Sequence, residues 1–131
     1  LDKKIQSTIS FELGRSLTAG CGSLISRVLF VKEGAAEPFV ILDAGMTDLL
    51  RPALYHAYHR IDNLTSELAG KKYTVAGPIC ETADTFARFI ELPETRRGDL
   101  IAIRSAGAYG EVMASRYNLR TLPPSVFSDN L

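Results

Sequence analysis

Cysteine is scarce in this sequence of 131 residues, which contains only Cys21 and Cys80. Two cysteines are too few for a small secreted domain held by disulfides, and their spacing gives no Cys-x-x-Cys metal or redox motif. An excess of charge is also lacking, because 15 basic residues balance 15 acidic ones. No overall field therefore attracts nucleic acid or an anionic membrane surface. These absences predict a reducing, cytoplasmic setting and charge chemistry confined to local sites.

Long apolar runs are lacking as well. The longest nearly uncharged stretch covers residues 16–26, which is roughly half the length that a helix needs to span a bilayer. The N-terminus has neither a starting methionine nor the apolar core of a signal peptide, as expected for a fragment or a processed chain. An apolar fraction of 46% still suffices for one globular domain with a sizeable core.

Short runs of β-forming residues are what the sequence does contain, separated by glycine and proline. The runs 24–31 and 39–42 are close enough to form a hairpin. A short helix of one or two turns is expected around Pro52. No long helical pattern alternates with the strands, so we predict a mainly β domain, a barrel or a sandwich. The last residues, 121–131, are interpreted as a surface extension. The predicted strands are 5–11 (ending at Glu12), 24–31, 39–42, 73–76, 86–90 and 100–103.

Cys80 and the two histidines are the first candidates for chemistry. Cys80 follows a predicted strand and the pair Gly77-Pro78, which places its thiol on a loop at a strand end. A thiol there can donate a proton to a carbanion, although a small buried hydrophobe is the alternative interpretation. His56 and His59 are three apart on the predicted helix, but no third metal ligand accompanies them. We therefore interpret them as surface or packing residues.

Two arginines and two glycine-containing segments are further candidates. Arg15 follows Gly14, and Arg51 precedes Pro52, so each can present a planar fork to a carboxylate or simply be a solvated surface residue. Gly14 is expected at a strand-to-helix junction, where backbone N–H groups can hold a phosphate, or where the glycine only shapes a loop. Small residues flank Tyr109, which allows close approach of a ligand or marks a plain glycine-rich turn.

Taken in order, these motifs resemble the diaminopimelate decarboxylases, which are similar in fold to alanine racemase. The resemblance covers roughly residues 9–124, and Leu13 stands where the family pattern has proline. Cys-Glu followed by Asp84, rather than the Cys-Asp-Gly of ornithine-type decarboxylases, favours diaminopimelate as the substrate. The matching segments are Glu12–Arg15 (Glu-Pro-Gly-Arg), Asp43–Met46 (Asp-Ala-Gly-Met), Arg51–Tyr55 (Arg-Pro-Ala-Leu-Tyr), Gly77–Glu81 (Gly-Pro-x-Cys-Glu) and Gly107–Gly110 (Gly-Ala-Tyr-Gly).

The resemblance implies a division of the chain into two parts. Residues 1–24 would be the end of a (β/α)8 barrel, with its last strand and a following helix or turn. Residues 25–131 would form a C-terminal Greek-key β barrel or sandwich of the alanine racemase-like fold. A whole (β/α)8 barrel takes about 250 residues, and none of the lysines present lies in a segment resembling the family's Schiff-base strand. The chain alone is therefore expected to be inactive.

The implied activity is the pyridoxal-phosphate-dependent conversion of meso-diaminopimelate to L-lysine and CO2 in a homodimer whose subunits share the active site. Pyridoxal phosphate accepts the electrons left by CO2 loss, and Cys80 is the implied proton donor, on a loop that completes the partner's pocket. The implied cofactor-binding residues are Glu12, Gly14, Arg15 and Tyr109. The implied substrate-binding residues are Arg15, Arg51, Tyr55, Glu81 and Tyr109.

Two alternative functions stay open. In the first, the parent protein is a decarboxylase of another amino acid, such as ornithine, arginine or carboxynorspermidine. In the second, it is a non-catalytic module that uses its β domain for dimerisation or partner binding. A substrate panel separates the first alternative, and the coding sequence upstream of Leu1 separates the second.

Overall fold

A computed structural model describes residues 8–130 of the chain. Its main feature is a sheet of six strands, accompanied by one short α-helix and several single 3-10 turns. The strands are β1 (Ser23–Lys32), β2 (Phe39–Leu42), β3 (Ile61–Asn63), β4 (Gly70–Ala76), β5 (Thr85–Pro93) and β6 (Leu100–Arg104), and the helix is α1 (Arg51–Tyr55). The 3-10 turns are Arg15–Leu17, Ala19–Cys21, Glu111–Met113, Tyr117–Leu119 and Ser128–Asn130.

The strand order in the sheet is β3-β6-β1-β2-β4-β5. Every neighbouring pair is antiparallel except β2 and β4, which run parallel. The two edge strands, β3 and β5, approach each other, so the sheet curls into a nearly closed, barrel-like shape, which protects its edges. The mainly β prediction and the hairpin of β1 and β2 are confirmed.

The core lies inside this curled sheet and is built from aliphatic and aromatic side chains. Tyr73 is the largest fully buried side chain, and its hydroxyl accepts the backbone N–H of Thr95 at 3.1 Å, so its polar atom does not go unsatisfied. The other members include Val28, Val40, Leu42, Leu49, Val75, Leu92, Ile101 and Ile103. Burial on this scale makes the sheet the stable frame that positions the loops.

Two predictions about the elements are wrong. Residues 8–14 form no strand, so the strand expected over 5–11 is not present in its described part, while residues 5–7 lie outside the described residues. Alternation of apolar and polar residues failed as a signal here because Ile9 and Phe11 are exposed rather than half-buried. Strand β3 was not predicted, since its three residues include Asp62 and Asn63, which rarely favour strands.

Candidate functional site

Arg15 is held against the end of β6. It begins the 3-10 turn Arg15–Leu17, and its Nη2 donates to the Ser105 carbonyl at 3.1 Å. Its Nε is buried and has no hydrogen-bond partner. A buried guanidinium N–H without a partner is costly, so we expect this donor to gain a partner in the full-length protein.

A contact between two glycines fixes this arrangement. The Ala106 N–H donates to the Gly22 carbonyl at 2.9 Å, and the Gly107 N–H donates to the Ala19 carbonyl at 3.1 Å. A Cβ added to Gly22 would lie 2.7 Å from the Gly107 Cα, so only glycine allows the two backbones to come so close. The segment bearing Arg15 is therefore clamped to the one bearing Tyr109, and Gly107 has a packing role that the sequence left open.

Arg51 lies between two tyrosine rings. It opens α1, with Pro52 in the first turn, and its guanidinium carbon lies 5.4 Å from the Tyr55 ring centroid and 5.9 Å from that of Tyr109. Both distances suit cation–π attraction. Tyr109 has a φ of +60°, a conformation that costs a bulky residue energy and often marks a functional site. The Arg51 Nε is also buried without a partner.

His59 adjoins the same group. Helix α1 ends at Tyr55 because His56 adopts a left-handed conformation with a φ of 52°, so the two histidines do not share a helix face as expected. His59 is only 3% exposed, and its Nδ1 donates to the Arg104 carbonyl at 2.8 Å. Burial lowers the pKa of His59, the bond to Arg104 opposes this, and the charges of Arg15 and Arg51 lower it further. The ring is therefore held neutral.

We call Arg15, Arg51, Tyr55, His59 and Tyr109 the guanidinium cluster. Its members come from three distant parts of the chain that meet beside the end of β6. Sequence reasoning named all of them except His59, which it took for a surface or packing residue. The residues Glu12 and Gly14 are exposed, and no hydrogen bond, ion pair or cation–π contact within residues 8–130 joins either residue to the cluster. Because residues 8–13 form no strand and a single 3-10 turn follows Gly14, the described part of the chain shows no strand-to-helix junction there.

Cys80 and Glu81 lie on a second structure, the cysteine loop, which we define as residues 77–84 between β4 and β5. Both side chains are exposed, as expected of a loop at a strand end, so the interpretation of Cys80 as a buried hydrophobe is wrong. The loop is closed by backbone bonds, with the Gly77 N–H donating to the Asp84 carbonyl at 3.0 Å and the Glu81 N–H to the Ile79 carbonyl at 2.8 Å.

A buried carboxylate anchors this loop. Asp84 is 4% exposed, and it accepts the Ile79 N–H and the Met46 N–H, each at 2.6 Å. Burial raises the pKa of Asp84, while the two N–H bonds and the charge of Arg120 lower it and the charge of Asp48 raises it. A Cβ on Gly77 would overlap the Asp84 carboxylate, which explains the glycine before Pro78. Sequence reasoning used Asp84 only as part of a motif and missed this role.

The turn at residues 43–48 receives the cysteine loop and is itself held by carboxylates. The Gly45 N–H donates to Asp48 at 2.7 Å, and the Asp43 carboxylate accepts the Ser26 hydroxyl at 2.5 Å. Such capped turns are rigid because the backbone donors have fixed partners. The Asp-Ala-Gly-Met motif therefore forms the rigid turn against which Asp84 holds the cysteine loop.

Glu81 borders an open, mostly apolar groove formed by that turn and the C-terminal segment. The backbone of Ser115 donates to the Thr47 carbonyl at 2.8 Å, which brings the C-terminal segment to the turn. The groove is lined by Met46, Thr47, Leu50, Glu81, Ala83, Ser115 and Tyr117. Within residues 8–130, no hydrogen bond, ion pair or cation–π contact joins Cys80 or Glu81 to the guanidinium cluster, so no direct bond in the described chain links the two halves of the predicted site.

Over the described part of the chain, residues 8–130, no group of three or more potential metal ligands occurs, and both cysteines are free. None of the helices described there is long and apolar enough to cross a membrane.

The curled sheet, with the guanidinium cluster beside the end of β6, defines a class of protein. A family model described as the C-terminal sheet domain of pyridoxal-dependent decarboxylases matches residues 18–107. The chain belongs to this family.

Individual relatives narrow the likeness further. The chain is 60% identical over 124 residues to a diaminopimelate decarboxylase of Bacteroides thetaiotaomicron, an alignment that covers 95% of the chain and 32% of the relative. It thus spans about a third of the length of this curated relative.

Two solved structures agree with this result. The first, of diaminopimelate decarboxylase from M. jannaschii with L-lysine, has a TM-score of 0.80 at 43% identity and covers 84% of this chain and 25% of that one. The second, of the Helicobacter pylori enzyme with L-lysine, has a TM-score of 0.75 at 50% identity and covers 82% and 26%. The expected resemblance to diaminopimelate decarboxylases is thereby confirmed.

Proposed function

We propose that this chain is the C-terminal part of a cytoplasmic, homodimeric, pyridoxal-phosphate-dependent decarboxylase that converts meso-diaminopimelate to L-lysine and CO2 in lysine biosynthesis. The observation that carries the proposal is the pair of guanidinium groups at Arg15 and Arg51, whose charges both act on His59 beside the end of β6. Combined with relatives named diaminopimelate decarboxylase, this pair indicates recognition of an anionic ligand.

The donors present fit the chemistry of pyridoxal phosphate and of a dicarboxylate substrate. A guanidinium presents several N–H donors in a plane, which matches the oxygens of a phosphate or carboxylate. Gly14, Arg15, Glu12 and Tyr109 would hold the cofactor. When bound, pyridoxal phosphate supplies an electron sink for the bonding pair released when CO2 departs.

Recognition of the distal end of the substrate falls to the guanidinium cluster together with Glu81. Arg15 and Arg51 would bind the carboxylate that is not lost, Tyr55 and Tyr109 would exclude water around it, and the exposed Glu81 would accept N–H donors from the ammonium group. A site built for both charges rejects a substrate that lacks one of them, because the unmatched protein group is then left unpaired.

Cys80 would supply the proton that replaces the departed carboxylate. Its Sγ–H donates to the carbon that has lost CO2, and the resulting thiolate is reprotonated from solvent. Because Cys80 is exposed and on a different structure from the guanidinium cluster, we propose that it acts in the pocket of the partner subunit. The lysine that binds the cofactor lies outside this chain.

Replacement of Cys80 tests the proton-donor role in the full-length protein. Cys80→Ala should lower kcat for meso-diaminopimelate by about 100-fold or more, the usual scale of a lost general acid. Cys21→Ser is the matched control, since Cys21 is equally exposed and free, and it should stay close to wild type. A Cys80→Ala enzyme with near-normal kcat would contradict the role.

Mixing two inactive variants tests whether the site is shared. Co-expression of Cys80→Ala with a variant lacking the cofactor-binding lysine should restore about a quarter of wild-type activity, because half of the dimers are mixed and each has one intact site. No recovery in verified mixed dimers would place both groups in one subunit. A panel of ornithine, arginine, carboxynorspermidine and meso-diaminopimelate identifies the substrate, and preference for a monocarboxylate would overturn the assignment.

A further inference from the structure

His59 has a feature that packing alone does not explain. Its Nδ1–H is used by the Arg104 carbonyl, and its Nε2 is buried with no hydrogen-bond partner. In a neutral imidazole whose Nδ1 is the donor, Nε2 carries only a lone pair and can only accept. A buried acceptor of this kind requires a donor nearby.

Within residues 8–130, the buried side-chain donors without a partner belong to Arg15, Arg51 and Arg120. Arg120 lies at the 43–48 turn, where it donates to the Asp43 carbonyl, which leaves Arg15 and Arg51 as the candidates. Arg15 binds the Ser105 carbonyl at 3.1 Å and His59 binds the preceding carbonyl, that of Arg104, at 2.8 Å. Ser105 has a positive φ of +58°. The extended backbone of β6, in which successive carbonyl groups point in opposite directions, therefore ends between these two carbonyl groups. The Nε atoms of Arg15 and Arg51 are buried donors without partners, and His59 Nε2 is a buried acceptor without one. The unused groups are complementary.

We propose that His59 is a positioning residue. No hydrogen bond joins it to either guanidinium group within residues 8–130 of the structure, and in the full-length protein a rotation of Arg15 or Arg51 brings an N–H to the unprotonated Nε2 and orients that group toward the substrate carboxylate. The inference rests on the proposed function for the identity of the ligand. A second hydrogen-bonding direction on a guanidinium reduces its freedom to rotate, so its remaining donors stay aligned with a planar carboxylate. His59 thereby acts on specificity without touching the substrate.

Two substitutions separate this role from simple packing. In His59→Asn the amide N–H sits near the position of Nδ1 and keeps the Arg104 bond, but the acceptor at Nε2 is lost. In His59→Gln the longer side chain carries an amide oxygen to the region of Nε2, while the Arg104 bond is lost. A positioning role predicts that Gln is the better replacement, whereas a role limited to holding Arg104 predicts that Asn is.

The binding of L-lysine and of cadaverine to the full-length protein provides the measurement. Cadaverine is L-lysine without its carboxylate, so it does not engage the guanidinium pair. We expect His59→Asn to weaken L-lysine binding by calorimetry about tenfold, the scale of one charge-assisted hydrogen bond, and to leave cadaverine within about twofold. His59→Gln should recover most of the loss. With meso-diaminopimelate, His59→Asn should raise KM more than it lowers kcat.

Several outcomes would overturn the inference. They are an unchanged affinity for L-lysine in His59→Asn, an equal loss for both ligands, or better function with Asn than with Gln. Thermal unfolding of both variants checks their folding. If wild type binds neither L-lysine nor meso-diaminopimelate, the proposed function fails while the inference keeps its own test.

That test is histidine ¹⁵N NMR of the full-length protein, with the His59 signal assigned by its loss in His59→Asn. The expected spectrum has a protonated Nδ1 and an unprotonated Nε2 whose shift moves in Arg15→Lys or Arg51→Lys. A ring protonated at Nε2, or one that is insensitive to both arginine substitutions, would contradict the proposal.

Discussion

The guanidinium cluster and the cysteine loop are built on opposite principles. The cluster draws its side chains from three distant segments and is assembled within one chain beside the end of β6. It combines the buried His59 and the half-buried arginines with two exposed tyrosine rings. The cysteine loop is local, closes on itself through backbone bonds, and exposes its two chemical side chains. The fold therefore assembles the guanidinium cluster within one chain, whereas it exposes Cys80 and Glu81 at the surface.

The largest effect should come from removing the anchor of the cysteine loop. Asp84→Ala leaves the buried N–H groups of Met46 and Ile79 without acceptors, which should lower the free energy of unfolding by about 3 kcal/mol. Asp84→Asn keeps one acceptor oxygen and should cost less. Urea denaturation measures both, and a loss below about 1 kcal/mol for Asp84→Ala would show that the loop holds itself.

An intermediate effect is expected in the guanidinium cluster. Arg51→Lys keeps the charge but removes the planar fork between Tyr55 and Tyr109, so KM for meso-diaminopimelate should rise by about tenfold or more with little change in stability. Arg96→Lys is the matched control, because Arg96 is exposed and pairs only with Glu94 among the described residues. Steady-state kinetics decide the matter, and equal KM values for the two variants would remove Arg51 from substrate binding.

The smallest effect is a dependence of stability on pH that arises from His59 in the cluster. Comparison with His59→Asn separates it from the opposite dependence expected of Asp84, whose pKa is raised. The pKa of His59 is lowered below the ordinary value of 6.5 by burial, so between the folded and unfolded pKa values the unfolded chain binds more protons. His59 therefore contributes stability that is fully present above pH 6.5 and is lost as pH falls toward its folded pKa. Unfolding curves from pH 7.5 to 5 should show a steeper loss for wild type than for His59→Asn; parallel curves would refute this.

Most of the sheet could be predicted from the sequence because its strands are dense in β-forming residues. The runs 24–31, 39–42, 73–76, 86–90 and 100–103 all fall within observed strands. Strand β3 could not be recognised, since it is short and polar and is a strand only because β6 pairs with it. The reverse holds for residues 8–11, whose pattern resembles a strand but has no partner strand in the described chain.

The candidate site divides in the same way. Arg15, Arg51, Tyr55, Cys80, Glu81 and Tyr109 could be named because motifs contain them, although only the structure brings the arginines and tyrosines together. His59 and Asp84 were missed because their roles depend on backbone groups far away in the chain, at Arg104 and Met46. Burial of a polar side chain beside such a partner has no local sequence signal.

Because Asp84 holds the cysteine loop through backbone groups, the reactive residues of that loop can be exchanged without loss of its anchor. Among the described residues, the carboxylate accepts hydrogen bonds only from the main-chain N–H groups of Met46 and Ile79, so the anchor does not depend on which side chains stand at positions 80 and 81. A grafted loop that keeps Gly77, Ile79 and Asp84 can therefore carry other residues at positions 80 and 81 while its attachment to the 43–48 turn is unchanged. Substrate range can diverge at this loop without any change in the sheet beneath it.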